Sequence, residues 1–138
     1  MMNSEDRAAF LAEFDVSRET SERLDAVILT LDAWRQRSNL IGPQEWPQIW
    51  TRHVADSFQI LPFIPETTHC VDLGSGAGFP GLVTSAARPE GHVTMMESVG
   101  KKCAFLRAAI VAAGLNASVY QGRIEDAQAS TADIVTAR

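Results

Sequence analysis

An α/β fold, with a parallel sheet behind an N-terminal helical cap, is predicted for this 138-residue chain by three observations. Apolar residues follow a helical spacing from Ser4 to about Leu61. From about His69 short β-like runs alternate with helix-like segments, the pattern of βαβ units. A glycine-rich loop, within VDLGSGAGFPG from Val71 to Gly81, follows the first of those runs directly. The length accommodates about one domain. Residues 1–66 read as the cap and 67–138 as the sheet, packed together as a single domain.

In the cap, Leu24, Val27, Ile28, Leu31 and Trp34 recur at three- and four-residue intervals, with Ser17 placed as an N-cap before them. This stripe predicts one long helix that leaves Arg23, Asp25, Asp32 and Arg35 to water. The pattern breaks at SNLIGP, with Gly42 and Pro43. WPQIWTRHVADSFQILPF then reads as one or two shorter helices, with Trp50, Val54, Phe58 and Leu61 on one face and Pro62 and Pro65 as the stop. In the sheet region the strands are HCVDL, HVTMME, ASVYQG and DIVTA. The intervening helices run from Gly81 to Ala87 and from Lys101 to Ala113, the second stacking Ala104, Leu106, Ala108, Ile110 and Val111 and ending at Gly114. Such units make a doubly wound, Rossmann-like sheet.

Composition excludes several classes. A hydrophobic content of 46% and charged content of 21% suit a globular protein, and no window approaches the roughly 18 apolar residues of a membrane span. The acidic start MMNSEDRAAFLAEF lacks a signal-peptide layout, so a cytoplasmic location is expected. Cys70 and Cys103 lie outside any C-x-x-C or His-rich run and read as structural thiols, with no metal site. A net charge of −5 argues against coating nucleic acid through bulk positive charge, so any such role needs a local basic face. Arg35, Arg37, Arg52, Lys101, Lys102 and Arg107 are the candidates.

The loop carries the chemistry. Gly74 allows a tight turn at the strand end, Gly76 and Gly78 leave no Cβ between backbone and ligand, and Pro80 suits the first turn of a helix whose free N–H groups would face a pocket. Two patterns overlap here. Gly76, Gly78 and Gly81 satisfy the dinucleotide motif G-x-G-x-x-G, whereas Asp72, Gly74, Gly76 and Gly78 satisfy the D-x-G-x-G-x-G of enzymes that use S-adenosylmethionine. Register separates them: a dinucleotide motif begun at the strand end, Gly74, needs glycine where Phe79 stands. Asp72 is also awkward beside a pyrophosphate and suited to the ammonium and sulfonium of a methionine moiety. Glu97 closes the second strand 23 residues after Gly74, near the offset at which a carboxylate meets a ribose diol. That device serves either cofactor. A nicotinamide-binding oxidoreductase fragment and a non-catalytic Rossmann interaction module are the competing readings.

In order along the chain, Asn39-Leu40, TRHVADS (51–57), VDLGSGAGFPG, ESVGKKCAFLR (97–107), GRIED (122–126) and DIVTAR (133–138) resemble the RsmG (GidB) family. The resemblance runs from about Leu24 to the end, and the combination of RHxxDS, GAGFPG and KK-x-x-FLR is specific. It implies transfer of a methyl group from S-adenosylmethionine to guanine N7, at guanine 527 in the 530 loop of bacterial 16S rRNA. The partner is then that RNA, within the small ribosomal subunit or its assembly intermediate. By position it implies cofactor contacts at Gly74, Phe79, Ile124, Glu125 and Arg138. It further implies a cap motif of Arg52, His53, Asp56 and Ser57 facing the pocket, with Asn39 in the matched run. Lys101 and Lys102, at the start of the second sheet helix, would lie near the crevice and meet RNA phosphate, with generic solvation the alternative reading. On the residues alone, Arg52 and Asp56 are an i,i+4 pair that could simply bond on the helix surface.

Guanine N7 is an unprotonated lone pair, so no dedicated acid or base is expected, only alignment, with Arg138 the candidate pocket residue. The fourth strand ends TAR, unlike the Asn-Pro-Pro-Tyr type of motif of exocyclic-amine methyltransferases. The family's domain continues past DIVTAR. Four strands in the order 3-2-1-4 are therefore expected, with the fourth an open edge through which chains could dimerise, and weak or absent activity.

Overall fold

The computed structural model describes residues 3–124 and 131–138. Helix α1 (Ser4–Glu13) precedes α2 (Arg18–Ser38), which Ser17 caps by accepting the Thr20 amide at 3.1 Å. Helix α2 ends at Asn39, which takes the left-handed conformation. Its stripe of Leu24, Val27, Ile28 and Leu31 is buried as expected. Its charged flank is not left to water. Arg23 donates to the Ala86 carbonyl at 2.8 Å, Arg7 of α1 holds Asp25 through two bonds of 2.7 and 2.9 Å, and Arg35 pairs with Asp32 while lying over Trp46. Helix α2 has neighbours on several sides, so these half-buried charges become cross-links, and their long stems cover apolar surface.

The next segment is less regular than its spacing suggests. A 3₁₀ turn (Trp46–Gln48) leads into a π-helical turn (Ile49–Val54), a short α3 (Ala55–Phe58) and a second 3₁₀ turn (Leu61–Phe63). Trp50, Val54, Phe58 and Leu61 are still all buried. Phe10 of α1 is their hub, with ring centroids of Phe14, Trp50 and Phe58 at 5.0, 5.6 and 5.1 Å. Asp6, one turn earlier on α1, accepts the Trp50 amide at 2.7 Å and the Thr51 hydroxyl at 2.5 Å. A carboxylate from a distant helix thus caps the wide turn that carries Arg52 and His53.

The sheet is all parallel and ordered β3-β2-β1-β4, as expected. Its elements are β1 (His69–Leu73), α4 (Gly81–Ala87), β2 (His92–Glu97), α5 (Gly100–Ala113), β3 (Ala117–Gln121) and β4 (Ile134–Ala137). Helix α5 buries Cys103, Phe105, Leu106 and Ala109, whereas Val111, expected inside, is 81% exposed. The difference is one of phase: spacings of three and four counted from Cys103 select the face that meets α2 and the sheet. Register pairs Leu73 with Met96 and Ala137, and Glu97 with Gln121, so the carboxyl ends of all four strands lie along one edge. One apolar cluster runs from Phe10 through the cap to Leu115 beyond α5. No helix among the described residues is long and apolar enough to cross a membrane.

Candidate functional site

The loop after β1 turns through three left-handed glycines, Gly74, Gly76 and Gly78, with φ of 64°, 55° and 92°. Only there does their freedom matter, because an L side chain at these angles is strained. Their surroundings differ. A Cβ on Gly74 would meet nothing within 4 Å, and one on Gly76 would meet only the Gly74 carbonyl at 3.9 Å, so both face open space. A Cβ on Gly78 would collide with Leu82, whose Cγ lies at 2.6 Å. The missing Cβ of Gly78 therefore faces Leu82 and not the open space expected for it: it admits the first turn of α4. Gly81 does similar work, since a Cβ there would sit 2.7 Å from Asp72 Oδ2 and 2.8 Å from Met95 Cγ.

Two more expectations change. Pro80 lies just before α4, behind a cis Phe79–Pro80 bond, rather than inside its first turn. The Leu82 amide returns to the Gly78 carbonyl at 2.7 Å, so the short helix spends this donor on its own loop. Asp72 does not line the crevice. It is 1% exposed beneath the loop, where Oδ1 accepts the Thr136 hydroxyl at 2.8 Å and Oδ2 sits beside Gly81 without a well-formed hydrogen bond. Burial pushes its carboxyl above the ordinary range, and the Ser75 and Thr136 hydroxyls and the Gly81 amide only partly oppose this. Asp72 clamps β1 to β4.

Glu97 occupies the expected place at the end of β2. Its Oε1 accepts the Gly76 amide at 2.8 Å and its Oε2 the Val99 amide at 2.9 Å, which ties the glycine loop to the start of α5. Each oxygen keeps a second lone pair, enough to accept the two hydroxyls of a ribose. The open Gly74–Gly76 cradle and this carboxylate fit an adenosine-bearing ligand beyond the strand ends. Lys101 and Lys102 follow in the first turn of α5, and Ile124 is exposed beyond β3. Glu125 lies outside the described residues.

The cap meets the other flank of the loop. His53 lies against Phe79, ring centroids 5.3 Å apart, and Phe79 is buried as a wedge between loop and cap. His53 Nε2 lies 3.1 Å from Glu45 Oε1. Burial and then the Arg138 charge hold its pKa below the ordinary 6.5, against the raising influence of Glu45 and Asp56. Asp56 pairs with Arg138 at 3.5 Å, a bond between cap and sheet, and the alternative Arg52–Asp56 surface pair is not formed. Arg52 is exposed and forms no ion pair among the described residues. Ser57 is buried and its hydroxyl donates to the His53 carbonyl at 2.9 Å, one turn back. Asp56, Ser57, Pro80 and Arg138 share a cleft of about 510 Å³. Asn39, the exposed C-cap of α2, leads into the Gly42–Glu45 turn rather than into this cleft.

Sequence reasoning missed Asp6, Glu45 and Thr136. Each acts on a partner at least eight positions away, so no local periodicity marks them. The family model for small-subunit rRNA methyltransferase G, GidB, matches residues 20–138. The chain belongs to this family.

Curated relatives agree. Ribosomal RNA small subunit methyltransferase G of Hyphomonas neptunium is 71% identical over 138 residues, which is the whole of this chain and 67% of the relative. The protein of that name from a Bradyrhizobium species is 45% identical over 139 residues, covering 96% of this chain and 63% of its own length. That from Rhodopseudomonas palustris is 47% identical over 124 residues, covering 88% and 53%. The chain thus spans between about half and two thirds of these relatives. Among solved structures, an O-methyltransferase from Bacillus cereus, crystallised with SAH, superposes with a TM-score of 0.57 at 15% identity, over 99% of this chain and 63% of that one. Coclaurine N-methyltransferase, bound to N-methylheliamine and SAH, gives 0.55 at 12%, over 98% and 49%. These two likenesses show that the chain shares its fold with these two methyltransferases.

Proposed function

We propose that the protein transfers a methyl group from S-adenosylmethionine to N7 of a guanine in 16S rRNA, guanine 527 of the 530 loop, in the cytoplasm. The observation that carries the reading is the open Gly74–Gly76 cradle beside Glu97, at the strand ends of a chain in the GidB family. Gly74, Gly76 and Glu97 would hold the cofactor, which supplies an electrophilic methyl group when bound. Arg52, Lys101 and Lys102 give an acidic protein local cations for RNA phosphate, and Asp56, Ser57 and Arg138 form the pocket wall opposite. Ring-nitrogen methylation asks for alignment more than proton transfer, because N7 carries a free lone pair. The arrangement suits that demand: both cysteines are buried, and His53 is engaged by a carboxylate and an aromatic ring.

The test is transfer of labelled methyl groups to unmodified 16S rRNA, naked and within the small subunit, with the site mapped. A single guanine-N7 product is expected. Label on an exocyclic amine, or an RNA left unlabelled by a cofactor-saturated chain extended to the length of the relatives, would overturn the assignment. Calorimetry is expected to show binding of S-adenosylhomocysteine and none of NAD.

A further inference from the structure

Glu45 belongs to none of the motifs above, yet one of its oxygens holds His53, the cap residue that packs on Phe79 of the glycine loop. Oε1 meets His53 Nε2 at 3.1 Å and Oε2 accepts the Gly42 amide at 3.3 Å. The carboxylate is anchored in its own turn, where the Glu45 amide returns to the Gly42 carbonyl at 3.0 Å. An ionised carboxylate only accepts, so Nε2 carries the hydrogen and a neutral imidazole keeps its lone pair on Nδ1. Nδ1 has no partner among the described residues. The ring is held at one face by Phe79 of the glycine loop. The charged groups that act on it are Arg138 from the end of β4, Glu45 from the preceding turn, and Asp56 from its own helical segment. Burial, first, and Arg138 outweigh the two carboxylates and hold the pKa of the ring below the ordinary 6.5, which favours the neutral form.

We propose that Glu45 is a positioning residue: it locks His53 as the Nε2–H tautomer against Phe79, so that Nδ1 is a fixed acceptor for an N–H of the target base. The inference rests on the methyltransferase reading of the site. Guanine offers such donors at N1 and at its exocyclic amine, on the side of the base away from N7. An acceptor there can hold the base while N7 faces the methyl group. A neutral ring also avoids adding charge beside a purine that becomes cationic as it is methylated. The sequence hides this pairing because Glu45 and His53 lie eight residues apart, across a 3₁₀ turn and the start of a π-helical one.

Nitrogen-15 NMR of the whole chain reads the tautomer directly, with His53 distinguished from His69 and His92 by the His53→Gln variant. The Nε2–H form is expected in the native protein and in Glu45→Gln, whose amide oxygen still accepts, and a mixture of tautomers in Glu45→Ala. In methyl transfer, Glu45→Ala is expected to lower kcat/KM for RNA by about ten- to a hundredfold, with Glu45→Gln restoring it to within about threefold. Affinity for S-adenosylhomocysteine should stay within about twofold in both variants, since neither oxygen touches the Gly74–Gly76 cradle. A native Nδ1–H tautomer, an unchanged His53 signal in a folded Glu45→Ala, or full activity of that variant would overturn the proposal. Failure of the native protein, extended to the length of the relatives, to methylate RNA would instead defeat the methyltransferase reading, and the tautomer alone would then decide the Glu45–His53 lock.

Discussion

Replacing Gly74 and Gly78 separately by alanine tests whether the loop's glycines divide their labour as the structure indicates. Both have left-handed φ, so each alanine carries a backbone cost of about 1–2 kcal/mol. At Gly74 nothing else opposes the new methyl group, because its Cβ would have no heavy atom within 4 Å. At Gly78 the Cβ falls onto Leu82, itself fully buried, and overpacking adds about 1–3 kcal/mol. Gly78→Ala should therefore lose about 2–5 kcal/mol in all, a large share of the roughly 5–15 kcal/mol typical of a domain. Urea unfolding followed by fluorescence of the three tryptophans should show a midpoint lowered by about 1 M or more for Gly78→Ala, and by clearly less for Gly74→Ala. Calorimetry with S-adenosylhomocysteine should show the reverse order. Gly74→Ala places a methyl group in the cradle and should lose at least about tenfold in affinity, whereas folded Gly78→Ala should bind more nearly as the parent does. Equal destabilisation by the two changes, or undiminished binding by Gly74→Ala, would refute the division.

Asp6→Ala removes the carboxylate that caps residues 50 and 51 and should cost about 1–2 kcal/mol, with faster hydrogen exchange at the Trp50 amide, while the exposed Glu5→Ala serves as a silent control. The folded-state pKa of His53 lies below the ordinary 6.5, so its contribution to stability is complete above 6.5 and declines as pH falls toward the folded value. Arg138→Gln should raise the His53 midpoint in an NMR titration and narrow that window; an unmoved midpoint would contradict the charge contact. Asp72 has a raised pKa, so its folded form holds a proton more tightly and stability falls as pH rises from 3.8 to the folded value. Asp72→Asn should flatten that slope in urea titrations across the acid range. Cys70 and Cys103, with thiol pKa values pushed up by burial, should resist a thiol reagent at pH 8 until denaturant is added.

Much of the fold was legible because local signals agreed. The four strands and α4 fall where their runs end, Ser17 caps α2, and Gly114 takes the left-handed C-cap of α5. Errors arose where a neighbour decided the outcome. Val111 satisfies an apolar pattern, yet the face that meets α2 is set by Cys103 and Leu106. The charges of α2 look solvent-facing one helix at a time, and become cross-links once α1 and the Trp46 turn pack beside them. Gly74 and Gly76 follow the end of β1 and Glu97 ends β2, the positions that spacing gave them, because strand ends follow from local periodicity.

The sequence by itself determined the alternation of strand and helix, the position of the glycine loop at a strand end, and the motifs that mark the GidB family. These depend on residues close in the chain, where periodicity, caps and glycine angles act directly. Only the tertiary structure decided that Asp72 clamps β4 instead of facing the crevice, that Asp56 joins Arg138 and not Arg52, and that Glu45 holds His53. Those pairings join groups from different elements, and short-range hydrogen bonds and charges select partners only after apolar packing has brought the elements together.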